Sequence, residues 1–247
     1  MTPFEDDFQK LSRLQTFDPA VFEGDDETPQ SVCDFVLALC LVHNDCKDAL
    51  YAYELLQKEE PHVFWTPRQV SGTYTAMETY VIRIQLALIH ELLELIKRHT
   101  YDLETPTFKA VRRQMPRRAG DTWDALVAVA LGKPTRSRLG KYLAGFRSKV
   151  SFRYDERGIR RGYRERYFSD PPSEPRVSLG GSVQATRFYF ADASMEDYLG
   201  GQVGSEDWVD ELKRIADATT RITRALGPIL RNFVHRRGYR MRAVTEG

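Results

Sequence analysis

Between Thr73 and His99, the residues Met77, Val81, Ile84, Leu88, Leu92, Leu95 and Ile96 recur at three- and four-residue intervals. Only an α-helix lines such residues up on one side, and a helix of this length spans about 40 Å. Lys97, Arg98 and His99 fall in its last turn, where cations complement the helix dipole, and Gly72 precedes it. A second stripe runs from Ser31 to Glu60 through Val32, Phe35, Val36, Leu39, Val42, Cys46, Leu50, Tyr53 and Leu56. Ser31 is the predicted cap of this helix and Pro61 its predicted stop. Two long one-sided helices cannot bury their apolar faces alone, so the pattern predicts an all-α bundle.

Weaker periodicity supplies the remaining members. Asp121–Leu131 and Ser137–Phe152 read as two shorter helices separated by Gly132, Lys133 and Pro134, with Asp121 placed to cap the first. A last long helix is predicted from Ser205 to Arg237, with a kink at Gly227 and Pro228. Residues 155–191, rich in Arg, Gly, Ser and Pro, read as an irregular insertion, and Ser182–Ala191 as a strand or extended segment. Residues 1–30 hold no sustained period and read as an acidic, loosely packed arm. The expected organisation is therefore this arm, a single helical domain over 31–237, and a basic tail over 238–247.

With 42% hydrophobic residues in 247, the chain has material for one packed core. Its longest apolar run, Phe35–Val42, is eight residues, far short of the roughly 20 needed to cross a bilayer. The N-terminus is acidic, and the three cysteines are crowded between positions 33 and 46. These features predict a cytoplasmic protein with no membrane span, in a compartment where thiols stay reduced.

Total charge is balanced at a formal +1, yet its distribution is not. Met1–Asp34 carries nine acids against two bases; Lys109–Arg153 carries twelve bases against Asp121 and Asp124. From Ala218 onward seven arginines face one acid, Glu246. Segregated positive charge of this kind attracts polyanions such as RNA; a solvated basic face explains it equally well.

The usual catalytic signatures are missing: no glycine-rich phosphate loop with its lysine, no dinucleotide fingerprint, no HExxH helix and no GxSxG elbow. Cys40, His43 and Cys46 have the residue types of a metal site, but steps of three drift around a helix and no second ligand cluster lies nearby. Buried thiols are the expectation, with no metal and no cofactor.

The run Phe146, Arg147, Ser148, Lys149, Val150, Ser151, Phe152, Arg153, Tyr154, Asp155 resembles the pattern F-R-N-K-x-x-F-H-Y-D of bacterial HEPN-like proteins. The stretch His43–Leu50, with Asn44 and Asp45, is similar to the N-D-L-K-x-L-L segment on the first long helix of that family. The likeness covers about residues 31–155 and, more weakly, the final helix. It implies a helical bundle that commonly pairs as a homodimer around a shared cleft, where an arginine and a histidine cut RNA without metal. Carried over, the family arginine is Arg147, the supporting polar residue is Asn44 or Asp45, and the family histidine falls on Arg153. The resemblance also suggests a toxin–antitoxin or phage-defence setting.

Cleaving RNA through its own 2′-hydroxyl needs a group that exchanges protons near neutrality, and arginine does not. The pair Arg147 and Arg153, with Lys149 between them, therefore predicts phosphate binding without cutting. His235, four residues beyond Arg231, is the candidate substitute base in the competing reading of an active ribonuclease; in a third reading the chain is purely a protein-interaction module. In the insertion, Arg157, Arg160, Arg161, Tyr163 and Arg164 interleave guanidinium groups with rings, a mixture suited to single-stranded RNA or, in the plainer reading, a mobile charged loop.

Overall fold

The computed structural model describes residues 15–63, 69–147, 156–171, 188–203, 208–240 and 242–243. Two helices dominate: α1 (Gln30–Val63) and α2 (Gln69–Arg98). A single turn, α3 (Thr100–Leu103), leads to α4 (Pro106–Arg113), α5 (Arg117–Ala130) and α6 (Arg138–Arg147). The chain continues with α7 (Glu156–Tyr167), α8 (Tyr189–Val203) and the long α9 (Trp208–Arg236). The fold is all-α, apart from a two-residue antiparallel pairing of β1 (Gln15–Thr16) with β2 (Arg242–Ala243).

α2 packs against α1, α5, α8 and α9, and this central place explains its burial. Val81, Leu92, Leu95 and Ile96 of the predicted stripe are buried, but so are Ile82, Leu86, Ile89 and Leu93 outside it, whereas Met77 is 44% exposed. Phe35, Leu39, Phe108, Trp123, Leu126, Leu143, Ile222 and Phe233 complete the main core, and Tyr53, Ile82, Leu86, Leu212 and Ile215 form a smaller one.

One polar lock fixes the entry of α1. Ser31 does not cap the helix; its hydroxyl donates to Asp102 Oδ1 at 2.6 Å from within the first turn. Asp102 Oδ2 lies 2.6 Å from His99 Nδ1, and the imidazole stacks on Phe35 with ring centres 4.7 Å apart. The arm also differs from expectation over its described part. Val21 is fully buried, Phe22 stacks on Phe233, and Arg237 beyond α9 donates to Glu23 O at 2.6 Å and pairs with Asp25 at 3.1 Å. The periodicity signal is silent there because the contacts are made by single side chains in turns.

Helix ends move as well. α1 runs three residues past Glu60, so Pro61 sits in its last turn; its nitrogen cannot donate to the carbonyl four residues back, and the helix ends two residues later, at Val63. α5 begins at Arg117, four residues before Asp121, which lies in its second turn and caps nothing. α9 continues through Gly227 and Pro228 as one helix.

The largest correction falls on residues 155–191. Where an irregular insertion was expected, Glu156–Tyr167 is the helix α7, and Tyr189–Ala191, the end of the expected strand, opens the helix α8; residues 172–187, with most of that strand, lie outside the described residues. Gly158 and Gly162, which read as loop punctuation, are buried four residues apart on one face of α7. A Cβ at Gly162 would collide with Ser194 O of α8, so the glycine permits the two helices to touch. Arg166 then forks Asp197 with bonds of 2.7 and 2.5 Å, and Thr79 of α2 donates to Glu196 at 3.3 Å, tying the α7–α8 pair to the bundle.

Candidate nucleic-acid interface

At 100° per residue, Arg157, Arg160, Arg161 and Arg164 fall within about 100° of arc on the exposed side of α7. Arg161 is engaged by both helices of the pair, lying 3.7 Å from Glu165 of α7 and over the Tyr198 ring of α8 at 5.7 Å. Arg157, Arg160 and Arg164 make no ion pair among the described residues. Tyr163 stands apart from them: its ring packs with Tyr167, Phe168 and Phe190 at centre distances of 4.9 to 6.2 Å. Helix formation therefore separates residues that alternate in sequence, leaving the guanidinium groups in water and the rings in a half-buried aromatic cluster. Such a surface presents guanidinium donors along the helix, with Phe168, 73% exposed, the most open ring of the neighbouring cluster.

The motif residues lie elsewhere. α6 ends on Arg147; Lys149 and Arg153 lie outside the described residues. Asn44 and Asp45 are exposed on α1, whose main partners are α2 and α9, while α6 packs chiefly on α5. His235 is exposed in the last turn of α9. The register of α6 on α9 separates it from Arg147. Tyr142 meets Glu211 near the start of α9, and Ser137 shares a cavity with Arg221 to Arg231, so the two helices run antiparallel. Arg147 lies beyond Tyr142 toward the start of α9, and His235 lies 24 residues, about 36 Å, past Glu211 toward its other end. Within one chain, His235 is not a substitute base beside Arg147.

Cys46 is fully buried and Cys40 half-buried; burial pushes their thiols up to about 12 and about 11, away from the thiolate form that would react or bind metal. No group of three or more His, Cys, Asp or Glu suited to a metal occurs among the described residues. Nor is any described helix long and apolar enough to cross a membrane.

A second basic feature follows α9, walled by α5 and α6. One cavity, of about 560 Å³, is lined by Arg138, Tyr142, Lys213, Arg214 and Arg221 together with Asp210 and Asp217. Two of its lining residues converge on Glu211, whose fully buried carboxylate accepts from Tyr142 Oη at 2.5 Å and from Arg214 Nη1 at 3.4 Å. Burial and this bond hold the Tyr142 phenol far above its ordinary pKa, so it remains a donor. A second cavity, of about 690 Å³, shares Arg221 and adds Arg118, Arg224 and Arg231. The two basic tracts of the sequence hinted at this groove, but nothing in either tract shows that it faces the other.

Compared with known family models, curated proteins and solved structures, the chain matches none of them.

Proposed function

We propose that this chain is an RNA-binding protein of HEPN-like type whose ribonuclease centre is degenerate, and that it holds RNA by the phosphate backbone. The observation that carries the reading is the α7 surface: three arginines, at positions 157, 160 and 164, on one exposed helical face and without an ion pair among the described residues. Guanidinium groups form charge-assisted, forked hydrogen bonds to phosphate, and their spacing on a rigid helix fixes them in advance of binding. With Tyr163 drawn into the aromatic cluster, base identity contributes little, so affinity is largely independent of sequence.

Arginine at position 153, where the family pattern has histidine, supports binding without cleavage. The test is fluorescence anisotropy with a labelled single-stranded RNA in EDTA, followed by analysis of the recovered strand. The expected result is binding with an intact strand, weakened at least tenfold in Arg160→Glu/Arg164→Glu, and gain of 2′,3′-cyclic phosphate ends in Arg153→His. Undiminished binding by the double charge reversal would remove α7 from the interface. Cleavage by the wild type would show that the centre is active.

A further inference from the structure

We propose that the 690 Å³ cavity between the first turns of α5 and α6 and the middle of α9 binds a chain of linked phosphates. Four arginines line it, Arg118 from α5 and Arg221, Arg224 and Arg231 from α9, against a single carboxylate, Asp121. All four are exposed, and none makes an ion pair among the described residues. Their lack of partners follows from the order of charges along α9: its last carboxylate is Asp217, and every charged residue beyond it in the helix is an arginine or histidine. Like charges converging on one concavity repel each other until a counter-anion enters.

Backbone donors add to the same field. Pro116 occupies the cap position of α5 and lines the cavity, and no side chain caps that helix. The N–H groups of Arg117, Arg118 and Ala119 have no backbone acceptor among the described residues, so the positive end of the helix dipole adds to the guanidinium charge. Ser137, which caps α6 by accepting from Gly140 N at 3.1 Å, stands at the rim.

Size and charge order select the ligand. The volume suits a small molecule, and Arg221 to Arg231 spans ten residues, about 15 Å of helix. Along the groove in the other direction, the adjoining cavity intersperses Asp210 and Asp217 among Arg138, Lys213 and Arg214, so the field is most strongly positive within the 690 Å³ cavity. A short, densely charged chain of two or three phosphates suits both the volume and the field, and the arginine fork matches its oxygens. Such a chain is available as inorganic triphosphate, on a nucleoside triphosphate, or at the 5′ end of an RNA. The proposal uses no part of the α7 surface.

The test is isothermal titration calorimetry on the full chain at fixed ionic strength, with inorganic triphosphate and, separately, orthophosphate. Triphosphate should bind at least tenfold more tightly. Arg224→Gln/Arg231→Gln should weaken it by tenfold or more, as should Arg118→Gln, which approaches from another helix, while Arg98→Gln, exposed at the end of α2, should leave it unchanged. Circular dichroism checks that the variants remain folded. ATP binding more tightly than inorganic triphosphate would identify a nucleotide as the source; a 5′-triphosphate RNA preferred over its 5′-hydroxyl form, with ATP no better than triphosphate, would identify an RNA end. Triphosphate binding no better than orthophosphate, or bound equally by the arginine variants, would overturn the proposal.

Discussion

Replacing Tyr142 by phenylalanine isolates one hydrogen bond on which the α6–α9 contact depends. The Glu211 side chain is 0% exposed, and among the described residues its two oxygens have one donor each: the Tyr142 hydroxyl at 2.5 Å and Arg214 at 3.4 Å, the latter a long bond from a side chain 57% exposed. Tyr142→Phe keeps the ring and removes the better donor, leaving a carboxylate oxygen shut away from water. A hydrogen bond to a charged group contributes about 1.5–3 kcal/mol, and an unsatisfied buried acceptor costs at least as much. For a chain of this size each kcal/mol moves the melting temperature by about 2–4 °C, so the variant should melt roughly 5–10 °C lower by calorimetry or circular dichroism. The double variant Tyr142→Phe/Glu211→Met, which removes both polar partners, should recover most of that loss, because Arg214 can turn to solvent. A shift below about 1 °C for Tyr142→Phe, or a double variant that loses the sum of the two single losses, would refute this account of the contact.

Gly162→Ala should separate α7 from α8, because the new methyl group meets Ser194 O, part of a helix backbone that cannot step aside. A loss of about 1–3 kcal/mol in urea denaturation is expected, with weaker RNA binding as α7 shifts. Glu196 is held above the ordinary carboxylate pKa mainly by burial, with Arg166 and a hydrogen bond from Thr79 only partly offsetting it. Below the ordinary carboxylate range both folded and unfolded states are protonated and the group is neutral in its effect; as pH rises through that range the unfolded state ionises first and stability is lost. Glu196→Gln should therefore melt higher than the wild type at pH 7 and coincide with it near pH 4, and an unchanged difference across that range would contradict the burial argument.

The bundle was readable because α1, α2 and α9 repeat apolar residues over many turns, and a long stripe has few structural solutions. α7 was not, since its charged, glycine-bearing sequence has the composition of a loop. What holds it on the bundle is Gly162 lying against α8 and Arg166 reaching Asp197, and both contacts join residues some thirty positions apart. The same limit hid the Ser31–Asp102–His99 lock, whose members come from two distant stretches. For the candidate sites, the arginines of α7 were visible as residues, but their division from Tyr163 appears only once helical geometry is imposed. The α9 cavity was visible only as two basic tracts. Their convergence depends on α5, α6 and α9 packing together, which no local pattern encodes.

The central claim, that α7 holds RNA by its phosphates, is tested most directly by the slope of log Kd for a labelled single-stranded RNA against the logarithm of salt concentration. Three phosphate contacts contribute about 0.7 each to that slope, so Arg157→Gln/Arg160→Gln/Arg164→Gln should flatten it by about 2 while also weakening binding at low salt. An identical slope in the wild type and the triple variant would contradict the claim.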